Sequence, residues 1–312
     1  MCQYTYSIVS KYTRMSYDLY FYRKKENPIS KEKIQAEFKE MIPIDISEVD
    51  TQIHYENERT GVYFLIDINE PNIEKEDIEI FDSFDGFENT DVSASINFLR
   101  PDYFGREIFP IIGEICEKLD LYVFNPQEFD ETRERPLKWS SIELIEHWTD
   151  HNAQVSKQQF EELELKYYPK DKSDKIWEYT SKIDTLENEM NEDIYIPNLF
   201  MIMNQKTKDV FSYVVWSQSI PLILPKVDFV ILVKNYKKLF KKIEEIGIVK
   251  YEDVVSKFTN EFEKFDNDKV DCLILRQKNA DKIKKEFNSF PIWESHKEFG
   301  PQIGLDNFVN NK

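Results

Sequence analysis

The sequence predicts an α+β protein with two α+β domains joined by a helical connector. The chain has 312 residues, about twice the usual length of one domain, and its 41% apolar and 14% aromatic residues suffice for buried cores. Runs with strand character alternate with helical periodicities near both ends, and a polar helical stretch separates them. We therefore place an N-terminal α+β domain at 15–127, a helical connector at 128–192 and a C-terminal α+β domain at 193–312.

The N-terminal domain begins with an aromatic run, YDLYFY, that is typical of a strand. Asn27-Pro28 ends this strand, and Ser30 is placed to cap the helix that follows. The resulting order, β-α-β-β-β-α-β, resembles an elaborated split βαβ sandwich, in which an antiparallel sheet carries its helices on one face. The predicted strands are 17–22, 51–56, 61–68, 92–99 and 121–124, and the predicted helices are 31–41 and 103–119.

The connector and the C-terminal domain follow the same two periodicities. Polar residues with helical spacing predict helices at 140–151, 156–166 and 173–190 in the connector. In the last third, a lysine-rich helix is expected at 236–246 and is expected to end at Gly247. The other predicted elements there are strands 198–203, 210–216, 227–233 and 270–275 and helices 251–265 and 280–287.

Composition excludes several classes of protein. Only 7 residues are glycine, which argues against glycine-rich phosphate loops, and no nucleophile motif or metalloprotease motif occurs. We expect no cofactor, and enzymatic activity is less expected than binding. Cys2, Cys116 and Cys272 are far apart, and no apolar run suits a signal peptide or a membrane span, so a cytoplasmic location is expected. Abundant Lys, Asn and Ile with few Ala residues are typical of a bacterial source.

Two histidines are candidate metal ligands. Glu143, His147 and His151 follow at i,i+4 spacing, which places them along one stripe of a helix. Two imidazoles and a carboxylate can hold a divalent cation, but the spacing differs from the metalloprotease motif. The preferred interpretation is a solvated polar helix face without a metal, and a metal-dependent enzyme remains the alternative.

An acidic segment, 67–91, is the candidate partner-binding surface. It holds ten carboxylates and one base, Lys75, with aromatic residues between them. Carboxylates steer a basic partner, and aromatic side chains anchor it. A solvated insertion whose aromatics pack on their own domain is the competing interpretation. The predicted partner-binding residues are Phe81, Asp82, Phe84, Asp85, Phe87 and Glu88.

The charge of the chain favours a basic protein as the partner. The net charge is -18, and residues 1–127 hold 13 basic and 25 acidic side chains. Such a field repels nucleic acid and anionic lipid, so neither is expected to bind. The leading hypothesis is a cytosolic, non-enzymatic protein-binding module, in its most specific form an immunity or antitoxin-like protein that neutralises a basic toxin. The alternatives are the metal-dependent enzyme and a structural subunit of a larger assembly.

Overall fold

The α+β class is confirmed by the computed structural model, in which helices and strands alternate along the chain. Within the described part of the chain, no helix has the length and apolar character that crossing a bilayer requires. The structure describes residues 15–41, 51–128, 133–190, 193–238, 241–265, 267 and 270–312.

The chain divides into two compact units, and the division runs through the predicted connector. The first unit comprises residues 1–58, 62–163 and 312, and the second comprises 59–61 and 164–311. The long connector helix at 141–159 therefore groups with the first unit, while the helices at 170–180 and 183–189 group with the second. The predicted division stays a prediction: an N-terminal domain at 15–127, a connector at 128–192 and a C-terminal domain at 193–312.

The first unit is built on a five-stranded antiparallel sheet with the order β2-β3-β4-β1-β5. Tyr17 and Phe21 point to one face of the first strand, where they contact Phe109 and Phe38 of two helices at 6.0 and 5.6 Å between ring centroids. The elements are β1 (Ser16–Lys24), α1 (Lys31–Met41), β2 (Gln52–Asn57), β3 (Val62–Ile68), α2 (Lys75–Phe81), β4 (Phe87–Asn97), α3 (Tyr103–Lys118), β5 (Tyr122–Phe124) and α4 (Ser141–Gln159).

Helix α4 replaces two shorter predicted helices, 140–151 and 156–166. It begins at a capping box, in which Ser140 and Glu143 satisfy each other's backbone N–H groups. No proline or glycine interrupts the sequence from 141 to 159, so the helix runs on past the first predicted segment and ends at Gln159, four residues into the second. Its buried face includes Leu144 and Trp148.

The second unit contains a six-stranded sheet, β13-β10-β9-β7-β6-β14, and a three-stranded sheet, β11-β12-β8. Strands β7 and β9 are parallel, and the rings of Phe258, Phe262 and Phe287 surround the buried Trp216. The elements are α5 (Lys170–Thr180), α6 (Ile183–Glu189), β6 (Leu199–Met203), β7 (Val210–Ser217), β8 (Leu222–Pro225), β9 (Phe229–Lys238), β10 (Lys241–Lys250), α7 (Tyr251–Lys257), β11 (Glu263–Lys264), β12 (Cys272–Leu275), α8 (Gln277–Ser289), β13 (Glu294–Ser295), α9 (His296–Phe299) and β14 (Gln302–Ile303).

The helix predicted for 236–246 is wrong, because this part of the chain belongs to β9 and β10. The two strands pair antiparallel, with Phe229 opposite Lys250 at one end and Lys238 opposite Lys241 at the other. Residues 239 and 240 lie outside the described residues. Gly247 does not cap a helix. It pairs with Leu232, and a Cβ there would lie 2.2 Å from the side chain of Ile292. Pairing with β9 thus overrides the helical periodicity of this segment.

Gly300 provides a stability test of the second unit. Its φ is +156°, and an added Cβ would lie 1.9 Å from the carbonyl oxygen of Met203, which is backbone and cannot rotate away. We expect Gly300→Ala to lower the free energy of unfolding by about 2 kcal/mol or more. Urea unfolding of the full chain measures this loss.

Gly86→Ala is the matched control for that substitution. Its φ is +77°, but an added Cβ meets nothing within 4 Å, so only the backbone strain of about 1 kcal/mol applies. Equal losses for the two variants would show that the contact with Met203 does not matter.

Candidate functional site

The outer face of the first sheet, opposite α1 and α3, carries a groove of about 650 Å³. Its floor is formed by Ser93 and Ser95 of the central strand β4. In the sheet register, Ser93 lies between Tyr20 of β1 and Asp67 of β3, and Ser95 lies beside Asp18 of β1. Small side chains on the middle strand between longer ones on its neighbours therefore create the depression, which we call the acidic groove.

Carboxylates dominate the lining of the acidic groove. Strands β1, β3 and β4 contribute one each, the 69–72 loop contributes one, and α2 contributes one. No lysine, arginine or histidine is found among the described residues that line it. Concentrated negative charge in a concave site attracts cations and accelerates their arrival. The five carboxylates belong to Asp18, Asp67, Glu70, Asp77 and Asp91.

A β-bulge brings Asp91 to the end of the groove. The register passes from Tyr20–Ser93 to Tyr22–Asn89, so three residues of β4 face one residue of β1. Asp91 has a φ of +57°, a conformation that aspartate tolerates better than most residues. Its backbone oxygen accepts a hydrogen bond from the Asn69 N–H at 2.7 Å, which fixes the bulge.

Burial and repulsion both act on Asp91. Desolvation raises the pKa of its carboxyl group, and the carboxylates of Asp82, Glu70 and Glu88 raise it further, while Lys31 acts in the opposite direction. The anionic form at neutral pH is therefore less favourable than in water. A cation entering the groove would relieve this cost.

Two other groove carboxylates are positioned by neutral donors. Asp18 is 7% exposed and accepts hydrogen bonds from the hydroxyls of Ser16 and Ser95. Asp67 accepts a hydrogen bond from the side-chain amide of Gln52 at 2.7 Å. These contacts fix the carboxylates against the sheet and leave the groove shaped in advance of any ligand.

The structure places the three predicted anchor phenylalanines, Phe81, Phe84 and Phe87, half-buried on their own sheet. The ring of Phe81 lies 4.5 Å from that of Tyr20, and the ring of Phe84 lies 4.9 Å from that of Phe124. Phe81 also lines the acidic groove. Phe87 carries the ammonium group of Lys24 4.1 Å above its ring centroid. Their role as anchors for a partner stays a prediction.

The three predicted steering carboxylates differ in their surroundings. Asp82 accepts hydrogen bonds from the amides of Asn72 and Asn89, both at 3.0 Å, and so ties the loop before α2 to the start of β4. Glu88 pairs with Arg23 at 2.8 Å, and this hydrogen-bonded partner holds the pKa of Glu88 below its usual value. Asp85 is exposed at the turn before β4. Asp85 is thus the carboxylate of the three best placed to meet a partner.

The candidate metal ligands Glu143, His147 and His151 do not form a site of three ligands. Glu143 caps α4 through Ser140 and lies 3.4 Å from Arg133. In the regions that the structure describes, no group of three His, Cys, Asp or Glu side chains could hold a metal ion.

The expectation that His147 lies on a solvated face is also wrong. Its ring stacks on that of His151 at 4.2 Å, and its Nδ1 lies 2.8 Å from the Tyr17 hydroxyl. Burial lowers the pKa of His147 to about 4, and the neighbouring His151 contributes to this shift. Helix α4 packs this side of its surface against the first sheet, so a stripe that is polar in sequence becomes part of a polar interior cluster.

No protein family matches the chain, and searches of curated proteins and of solved structures return no significant match. Function must therefore be argued from the site itself.

Sequence reasoning found one wall of the acidic groove and missed its floor. Of the six predicted partner-binding residues, Phe81 alone lines the groove. The segment 67–91 also supplies the carboxylates of Asp67, Glu70, Asp77 and Asp91, but Asp18 and the two floor serines lie outside it. A signal was present, because Asp18 and Ser95 occupy alternate polar positions on strands whose other positions are apolar.

The buried His147 predicts a loss of stability in acid. The unfolded chain binds a proton near pH 6.5, whereas the folded protein resists protonation until about pH 4, so stability is lost as the pH falls through this window. The loss reaches no more than about 3 kcal/mol. The titratable and charged groups around His147 are Tyr17, His151, Glu128, Arg133 and Asp150.

Urea unfolding at pH 7 and pH 4.5 measures this effect. Carboxylates titrate in the same range, so the wild-type loss is compared with that of His147→Gln, which should be smaller. The matched control is His54→Gln, which replaces a half-buried histidine of β2. An unchanged acid sensitivity in His147→Gln would exclude His147 as its source.

Proposed function

We propose that the protein is a non-enzymatic binding module that holds a basic protein partner in the acidic groove of the first unit. The single observation that carries this proposal is a preformed groove lined by five carboxylates and by no basic side chain among its described lining residues. The net charge of -18 supports it, because the field around the chain steers basic molecules toward it. A groove on the face of a sheet also leaves the core on the opposite face undisturbed on binding.

The more specific form of the proposal is an immunity or antitoxin-like protein of the bacterial cytoplasm, with a basic toxin as partner. A cytoplasmic location is supported by the two described cysteines, Cys116 and Cys272, which are unpaired thiols. Burial raises the pKa of both thiols to about 12, so they are unreactive core residues. The metal-dependent enzyme is not proposed, because its three candidate ligands do not converge.

Removal of groove charge tests the proposal. The immobilised full chain captures proteins from a lysate of its host, and Asp67→Asn with Asp91→Asn serves as the groove variant. Both substitutions keep the shape of the side chain, and asparagine tolerates the left-handed backbone of Asp91. We expect a basic protein that the wild type retains, and we expect its association with the variant to be about tenfold slower at low salt.

The control variant is Glu161→Gln with Glu162→Gln, which removes the same charge at exposed positions of the first unit outside the groove. It should bind nearly as fast as the wild type. Raising the salt from low to moderate concentration should slow wild-type association and narrow the difference between the variants. Equal rates for both variants, or capture of acidic proteins only, would contradict the proposal.

Phe84 separates an anchoring role from a packing role. Its ring packs on Phe124 at 4.9 Å and on Tyr22 at 5.5 Å, so Phe84→Ala should lower the free energy of unfolding by about 1–3 kcal/mol. An anchoring role for Phe84 predicts that Phe84→Ala also releases the captured protein faster. Ile73→Ala is the control, because Ile73 lies in the same segment and is 86% exposed. Lower stability with an unchanged dissociation rate would show that Phe84 is a packing residue only.

A further inference from the structure

We propose that the acidic groove binds an extended segment of the basic partner that carries Lys or Arg at alternate positions. This inference rests on the proposed function and names the part of the partner that the groove recognises. It follows from the direction, width and charge spacing of the groove.

The direction of the groove is set by β4. Ser93 and Ser95 form the floor two residues apart on one strand, and the walls come from the strands on either side, β1 and β3. Phe81 and Asp77 of α2 add to the lining. The groove therefore runs along β4 and is open to a chain laid parallel to that strand.

The width of the groove favours an extended chain over a helix. Strands β1 and β3 flank β4 at about 4.8 Å each, so the two walls stand on backbones about 10 Å apart. Their side chains narrow this space further, whereas an α-helix with its side chains is about 10–12 Å wide. An extended chain, which needs about 5 Å beside a neighbouring strand, fits between the walls.

The carboxylates follow the pitch of a strand. Asp18 lies at the level of Ser95 and Asp67 lies at the next level, that of Ser93, while Asp91 lies beyond them in the bulge, where the regular spacing ends. Successive levels on a strand are about 6.7 Å apart. Alternate side chains of an extended peptide repeat with the same spacing, so every second side chain can meet one carboxylate level.

The lining selects positively charged side chains at those positions. The rings of Tyr20 and Phe81, 4.5 Å apart, form an aromatic wall beside the carboxylates, and such rings attract ammonium and guanidinium groups. The side-chain amide of Asn69 donates a hydrogen bond to the Ser93 hydroxyl at 3.0 Å, and the amide oxygen of Asn69 adds a hydrogen-bond acceptor to the lining. The chemistry of the wall and that of the carboxylates thus point to the same class of side chain.

Two labelled peptides of equal composition and charge test the inference on the full chain. One carries three lysines at alternate positions separated by serines, and the other carries the three lysines in a block. Fluorescence anisotropy at moderate salt measures both affinities. Because the alternate peptide can align more of its charges with the carboxylate levels, we expect it to bind about fivefold more tightly.

Two substitutions in α2 locate the binding. Asp77 lines the groove, whereas Glu76, its neighbour in the first turn of the same helix, does not. Asp77→Asn should weaken the alternate peptide about threefold and should reduce its advantage over the block peptide. Glu76→Gln removes one charge outside the groove, so we expect the affinities for both peptides to stay nearly unchanged. Both positions are exposed, and circular dichroism confirms that each variant is folded.

The outcomes separate this inference from the proposed function. Equal affinity for the two peptides, or equal effects of Asp77→Asn and Glu76→Gln, would overturn the alternate pattern while leaving the captured basic protein as a partner. Spermidine that displaces the peptide at the peptide's own concentration would overturn the inference in favour of a free polyamine. Absence of any groove-dependent binding, by peptides and by the captured protein alike, would overturn both.

Discussion

The pairing of β1 with β4 is the interaction on which the first unit depends. It joins the two strands that carry both the core and the acidic groove, on opposite faces of one sheet. On the inner face, Tyr17, Leu19 and Phe21 are fully buried, and each large side chain removed from water stabilises the fold by about 1.5–3 kcal/mol. On the outer face, the same pairing brings Asp18 beside Ser95 and Tyr20 beside Ser93. A shift of the register by one residue would exchange these faces, so folding of the core also fixes the groove.

The distribution of basic side chains explains why the groove remains acidic. Several cations near the ends of β1 and α1 have other partners within the first unit. Arg23 pairs with Glu88, Lys24 lies over the ring of Phe87, and Lys31 donates a hydrogen bond to the backbone oxygen of Asn69. These contacts stabilise the segment that walls the groove without placing a cation among the described residues that line it. Arg23 and Lys24 are held by these partners, whereas Lys31 lies close enough to Asp91 to oppose the rise of its pKa without lining the groove.

The sequence predicts those parts of the fold that depend on local signals. The strand at 17–22, the helix at 31–41 and the hairpin of β2 and β3 are found with small changes at their ends, because their turns and periodicities lie within short stretches. The segment 236–246 shows where this reasoning fails, since Ile243 and Ile246 share one face of a helix but lie on opposite faces of the observed strand, where Ile246 is 46% exposed. Pairing with β9 decides between the two, and such pairing is not encoded in the segment itself. The groove depends on register between three strands, so only its acidic wall is visible in the sequence.

Asp18 and Asp91 show how stability and binding are coupled in this sheet. Asp18 is 7% exposed, and hydrogen bonds from the hydroxyls of Ser16 and Ser95 take the place of water around its carboxylate. At the end of the same groove, burial and the carboxylates of Asp82, Glu70 and Glu88 raise the pKa of Asp91, so its anionic form costs free energy in the folded state. Burial of the apolar face of β1 offsets this free-energy cost, so the folded state remains stable. A cation in the groove removes part of the cost only in the folded protein, and ligand binding therefore stabilises the fold in proportion to the relief it gives. The site is thus stable without its ligand because of the core behind it, and its repulsion provides part of the free energy of binding.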